Sequence, residues 1–286
     1  MKRLLLSLAI GLGTVASTSA MAATPAFSAQ KAAQVKLPDL SFKHVMRAFY
    51  NGQITTTHIN DEQVIDYLPY IGLGYQNKNG QQTVAVMHPA VTYKNLKGEN
   101  RYLVIIEKVL TDSNTYEVQR CHACNATADV YSFKRLNDGR YQLVSRSHPE
   151  SIFPNNYGRI QFNVSDFKKG LQPLGSNLIG SLFTIDDYFS GATFNYWEAL
   201  HLPEDDYINS VSVGDAGSDY GGMYEKDSPL YYEYEVTYTV MPNNSKYYPI
   251  MLSFKGDMPV DNDYNRIEYV NHSVIKKFNP AKKEYQ

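Results

Sequence analysis

Tyr232-Glu233-Tyr234-Glu235-Val236-Thr237-Tyr238-Thr239-Val240 alternates, one residue at a time, between bulky apolar or aromatic side chains and polar ones. A period of two marks a strand with one face on a core and the other toward water, because successive Cβ atoms leave a pleated backbone on opposite sides. Pro242-Asn243-Asn244 breaks the run, and Tyr248, Ile250, Leu252 and Phe254 resume it, which predicts an antiparallel hairpin. Working outward, strands are expected over 83–87, 102–110, 129–135, 141–145, 159–164, 181–185, 193–200 and 207–213, with a last one over 266–278. Between them stand Gly, Asn, Asp and Pro clusters, the residues that turns require. The stretch 102–106 is apolar on both faces and suits a central strand. Asn137-Asp138-Gly139 reads as a hairpin turn, since Gly takes the positive φ needed there.

The pattern predicts a mainly β fold of antiparallel sheets, sandwich or barrel-like, with one or two short N-terminal helices. A β-propeller is the alternative, weakened by the lack of any internal repeat of blade length. An outer-membrane barrel would suit the Tyr232 run, but most other strands lack its one-sided pattern and Met87-His88-Pro89 interrupts one of them. Phe42, Val45, Met46 and Phe49 recur at helical spacing, with Asp39 or Ser41 as cap and Gly52 as stop. A second helix is expected from Asn60, with Gln63 at the capping-box position and Pro69 ending it.

Residues 1–22 read as a secretory signal peptide: Lys2 and Arg3, an apolar core over 4–15, then Ala20-Met21-Ala22 as cleavage site. The apolar core is too short to span a bilayer, and no later stretch provides a transmembrane helix. Residues 23–40 read as an exposed lead, and 41–286 as a β-rich globular domain with a candidate subdivision near 155–176. The expected location is periplasmic or secreted. Without Lys2 and Arg3 the chain has 25 basic and 29 acidic residues, a net charge of −4. No basic stripe is visible, which argues against nucleic acid as a partner. The 24 tyrosines fit pleated, half-buried surfaces before they argue for a ligand.

Both cysteines fall in Cys121-His122-Ala123-Cys124. Thiol exchange needs the first thiol at a helix N-terminus, whereas the residues that follow, 127–133, favour a strand. Haem attachment requires His at 125, where Asn stands. Zinc could take both thiolates, with His122 adjacent and two more ligands from elsewhere. In an oxidising compartment the simplest reading is a local disulfide.

This segment, Cys121-His-Ala-Cys124-Asn-Ala126 followed by Val130-Tyr-Ser-Phe133, a Gly turn and Tyr141-Gln-Leu-Val144, resembles a loose group of uncharacterised exported Gram-negative proteins with a Cys-His-x-Cys-x-Ala segment. The terminal region from Tyr269 to Tyr285 is similar to members of that group as well. The resemblance implies export and a β-rich fold, and brings no catalytic residues.

Other constellations are weaker. Asp261-Asn-Asp263-Tyr-Asn265 has the oxygen-rich spacing of a calcium loop, but Arg266 and His272 stand where an EF-hand needs Gly and Glu, so a calcium-stapled turn is the remaining metal reading. Asp215-Ala-Gly-Ser-Asp219-Tyr220-Gly-Gly222 reads as a flexible surface loop suited to binding. Trp197, Glu198 and His201, with Asp186 and Asp187, could form a hydrolase-like carboxylate set, although neither Gly-x-Ser-x-Gly nor His-Glu-x-x-His occurs. The leading expectation is an exported binding protein that recognises an envelope protein, as an inhibitor or immunity protein would, or a glycan. His122, Trp197, Asp215, Asp219 and Tyr220 are its candidate contacts, with no required cofactor. A thiol oxidoreductase or metal-dependent enzyme at Cys121 and Cys124, and a purely structural envelope component, are the rivals.

Overall fold

The structure is a computed structural model that describes residues 26–60, 68–74, 80–112, 114–149, 151–261, 264 and 266–286. The leader expected over 1–22 and most of the helix expected from Asn60 lie outside these residues.

The first half of the chain contributes α1 (Ala29–Ala32), β1 (Lys36–Leu37), α2 (Phe42–Tyr50), β2 (Ile54–Thr55), β3 (Tyr70–Leu73), β4 (Gln81–Met87), β5 (Val91–Lys94), β6 (Asn100–Asp112), β7 (Thr127–Arg135) and β8 (Tyr141–Arg146). Its strands form an eight-stranded sheet in the order β1-β8-β7-β6-β4-β3-β2, with β5 pairing β6 beside that path. A link follows, with the small hairpin β9 (Asn155–Asn156) and β10 (Arg159–Ile160) and then α3 (Val164–Lys169). The second sheet runs in sequence order through β11 (Leu171–Gly175), β12 (Leu178–Phe189), β13 (Ala192–Leu202), β14 (Asn209–Asp219), β15 (Glu233–Val240), β16 (Ile250–Pro259) and β17 (Ile267–Lys276). A last hairpin, β18 (Phe278–Asn279) with β19 (Glu284–Tyr285), ends the chain. All the strand pairs within both sheets are antiparallel.

The fold is therefore mainly β and antiparallel, with three short helices among the described residues. A propeller is excluded, because two open sheets of eight and seven strands replace the ring of small blades it requires.

The layering explains why β6 is apolar on both sides. Val104 and Ile106 face a core closed by Val45 and Met46 of α2. Leu103 and Ile105 face Phe167, Phe183, Leu200, Leu202 and Ile208 across the interface between the sheets. A third core lies on the second sheet, where Val211, Val236, Ile250 and Leu252 pack beneath Tyr285 of the terminal hairpin. The lead expected to be exposed is built into this arrangement from Ser28 onward. Ser28 Oγ caps α1, β1 pairs with β8, and Ala32 and Leu37 are buried. Its few apolar residues were too widely scattered to show a period. The strand expected over 159–164 is also corrected: only Arg159–Ile160 is extended, and Asn163 caps α3 by accepting from Ser165 N and Asp166 N.

Candidate functional site

The Cys121–Cys124 loop sits on the surface just before β7. The two sulfurs are at disulfide distance, with the Cα atoms 4.9 Å apart, inside the range a bridge tolerates. Among the described residues no helix begins at the cysteine pair: the residues from Thr127 are strand, so the dipole that would activate a thiolate is missing there. With each sulfur against the other, no thiolate pair is open to zinc.

The loop rests on the β9–β10 hairpin. Gly158 N donates to Cys124 O at 2.9 Å, and Gly158 must be glycine, since φ is +73° and a Cβ would run into the Gln119 carbonyl. The hairpin is anchored by Glu107, whose carboxylate is fully buried on β6. Arg159 donates to both its oxygens, at 2.7 and 2.8 Å, His88 Nε2 lies 2.9 Å from Oε2, and Ile160 N donates at 2.9 Å. Burial opposes the charge, but these bonds and the Arg159 charge outweigh it and hold the carboxyl down at about 2. This support presents His122 outward, 3.8 Å from Asp187 Oδ1 and beside the rings of Tyr157 and Phe189. Tyr157, Tyr188 and Phe189 are exposed.

Asp187 pairs across β12 and β13 with Phe194, which lines a cleft of about 390 Å³ where β13, β14, β15 and β16 meet. Phe194, Tyr196, Tyr234 and Tyr264 line it with Asp215 and Asp261, and Met258 and Pro259 close one side. Asp215 is fixed at both oxygens: Tyr234 OH donates to Oδ2 at 2.6 Å and Gly217 N to Oδ1 at 2.8 Å. Burial, together with the bond to Asp215, raises the Tyr234 hydroxyl, so it remains a donor at neutral pH. The Tyr196 hydroxyl is raised by burial and by the charges of Asp187 and Asp215, which ties the cleft to the His122 corner. Gly256 leaves room for Tyr234: its φ is +131°, and a Cβ there would come within 2.7 Å of Tyr234 Cα.

Of the residues singled out in the sequence, Asp215 lines the cleft and His122 stands at its approach. The 215–219 stretch is strand rather than flexible loop, because bulges at Ala216 and Val213, opposite Asn195/Tyr196 and Trp197/Glu198, let β14 continue through its glycines. Asp219 ends β14 and accepts from Gly221 N, while Tyr220 packs edge-on against Tyr224. Trp197 is a packing residue: Nε1 donates to Val236 O at 2.7 Å and its ring meets Tyr238. Asp261 borders the cleft, whereas Asp263 and Asn265 lie outside the described residues.

The imagined hydrolase set does not converge. Glu198 is buried and bonded by Ser210 Oγ at 2.7 Å, with its carboxyl pushed up by burial to about 7. His201 lies instead among Tyr247, Phe278 and Tyr285, and burial lowers it to about 3. Asp186 is exposed, and Asp187 faces Asn156 and His122. The cleft aromatics themselves were missed, because alternating tyrosines announce a strand and not which of them will border an opening.

A second recess, of about 480 Å³, lies under α2 between Tyr50, Lys108, Asp129 and Arg146. Its polar groups largely satisfy one another: Tyr50 OH and Lys108 Nζ both donate to Asp129, at 2.5 and 3.0 Å. No helix among the described residues is long and apolar enough to cross a membrane, and none of their His, Cys, Asp and Glu side chains gather in threes as a metal would need. No protein-family model, curated protein or solved structure matches the chain.

Proposed function

We propose that the protein is an exported, non-enzymatic glycan-binding protein of the cell envelope, and that the cleft around Asp215 receives the sugar chain. The observation that carries this reading is a carboxylate held in a fixed orientation within a set of aromatic rings. A sugar presents C–H faces that stack on aromatic rings and hydroxyls that donate to carboxylates. An opening with apolar walls and a few placed acceptors suits that chemistry. Asp215 is acceptor-only toward a ligand, and its bonds to Tyr234 and Gly217 keep it from turning away. The exposed rings of Tyr157 and Phe189 beside His122 continue the aromatic surface, which favours a polymer over a single sugar. Export is supported by the leader pattern and by a cysteine pair at disulfide distance.

The test is affinity electrophoresis and calorimetry of the mature chain against envelope polysaccharides and peptidoglycan fragments. Tyr196→Ala and Asp215→Asn should each weaken binding by roughly tenfold, the scale of one stacked ring or one charged hydrogen bond. If Tyr196→Ala and Asp215→Asn left the affinity for every retained glycan unchanged, this cleft would not be the binding site.

A further inference from the structure

The two sheets end in unequal edges. The first ends in β1 and β2, each two residues long. The second begins at β11, which carries Pro173 and is covered by the 245–248 segment through Tyr248 N to Leu174 O and Ser176 N to Ser245 O. Its other edge, β17, is ten residues long, contains neither Pro nor Gly, and pairs with β16 without a register shift. Tyr269 is 62% and Ile275 52% exposed on it. Short strands, proline and covering loops are how edges are normally blunted, and among the described residues β17 has none of them.

The backbone of β17 has a readable orientation. Val260 N donates to Arg266 O, so even-numbered residues turn their amide groups toward β16. Lys277 exchanges two hydrogen bonds with Gln286 on the opposite side, so odd-numbered residues face outward. A strand added there must bond through residues 269, 271, 273 and 275.

We propose that the occupant of this edge is β17 of a second copy, antiparallel, with the two-fold axis at His272. This register places Glu268 opposite Lys276, Tyr269 opposite Ile275, Val270 opposite Val274 and Asn271 opposite Ser273, each contact occurring twice by symmetry. The outward-facing residues fall opposite one another, as the hydrogen-bond pattern demands. Moving the pairing by one step of two residues in either direction sets Glu268 against Val274 or Lys276 against Val270 and separates the charges. Among the described residues Glu268 pairs with its own neighbour Arg266, at 3.1 Å. The pairing stops at Lys276, because Gln286 already occupies the outward groups of Lys277. Opposed residues of an antiparallel pair interact most when charge and shape match across the strands, as they do here, and the isologous contact closes on itself. His272 at the axis lies flat on Phe254, ring centroids 5.0 Å apart, so the joined strands would extend an apolar surface already present.

The experiment uses the mature chain and measures its molar mass by light scattering over a dilution series. The wild type should be a dimer that dissociates on dilution. Glu268→Lys and Lys276→Glu should each weaken association by roughly tenfold or more, since each sets like charges together at two symmetric places, and combining them should restore it. Thermal melts of the same proteins confirm that each has folded. In parallel, His272→Cys should form an intermolecular disulfide in air, because facing residues of a non-hydrogen-bonded pair stand about 4.5 Å apart. Ser273→Cys, opposite Asn271, should not. A chain that is monomeric throughout, with His272→Cys cross-linking no faster than Ser273→Cys, overturns the proposal and leaves the edge to an extended segment of another protein. A dimer indifferent to both charge reversals overturns it as well, since its contact lies elsewhere.

Discussion

Replacing Glu107 with Gln tests how the Cys121–Cys124 corner is supported. The side chain keeps its shape but loses its charge, leaving the Arg159 guanidinium beside a neutral amide whose NH₂ group meets an Arg159 N–H donor in either orientation. Removing one partner from a buried ion pair destabilises by about 3–5 kcal/mol, and the low end applies because Arg159 is 20% exposed and can turn toward water. The lowered carboxyl leads to a similar figure. The Glu107 carboxyl lies at about 2 in the fold against an ordinary 4.5, which corresponds to about 3 kcal/mol. Because the folded value is depressed, this contribution is present above pH ~4.5 and is lost as pH falls toward ~2. In urea unfolding at pH 7, Glu107→Gln should be less stable by about 3 kcal/mol, or roughly 6–12 °C in midpoint temperature for a chain of this length. The gap to wild type should narrow steadily between pH 5 and pH 2. A variant that matched wild type at pH 7, or a gap that did not change with pH, would show that the Glu107–Arg159–His88 cluster does not hold the hairpin in this way.

Glu198 should behave in the opposite sense. Its carboxyl is raised by burial to about 7, so its stability is full below pH ~4.5 and is lost as pH rises through 7. Glu198→Gln should therefore be neutral near pH 4 and more stable than wild type at pH 8, by roughly 3 kcal/mol; equal stability of the two proteins at pH 8 would contradict it. Replacing both Cys121 and Cys124 with Ser should lower stability by about 2 kcal/mol, the chain-entropy value for so short a loop. Wild type in reductant should fall to the level of the double variant, and a wild type unaffected by reductant would mean the sulfurs are not bonded.

The strands were legible wherever one face was dry and the other wet. Glu233, Glu235, Thr237 and Thr239 are exposed on β15 while Val236 is buried, as the alternation requires, and Val240 pairs with Ile250 across the expected hairpin. The doubly buried β6 was legible from its unbroken apolar run. What failed was local chemistry that tertiary structure overrides. Asp215 to Asp219 has the composition of a loop, yet bulges in β14, at Val213 and Ala216, let it pair with β13 as strand. Asn163 is a cap signal that the neighbouring apolar residues concealed. Of the candidate site, Asp215 and His122 stood out in the sequence, because an Asp among glycines and a His beside a cysteine pair are unusual neighbours. Tyr196, Tyr234 and Tyr264 could not, since their convergence depends on how β13 to β16 bend, and no short-range pattern records that.

The covered edge at β11 limits what the open edge at β17 can lead to. A sheet with both rims free can add copy after copy and lengthen without end, the route by which exported β proteins become fibres. Here Pro173 and the loop that bonds to Leu174 and Ser176 close one rim, so any growth at the other must terminate after a single addition. If β17 pairs as proposed, one proline and a few loop hydrogen bonds separate a pair from a polymer.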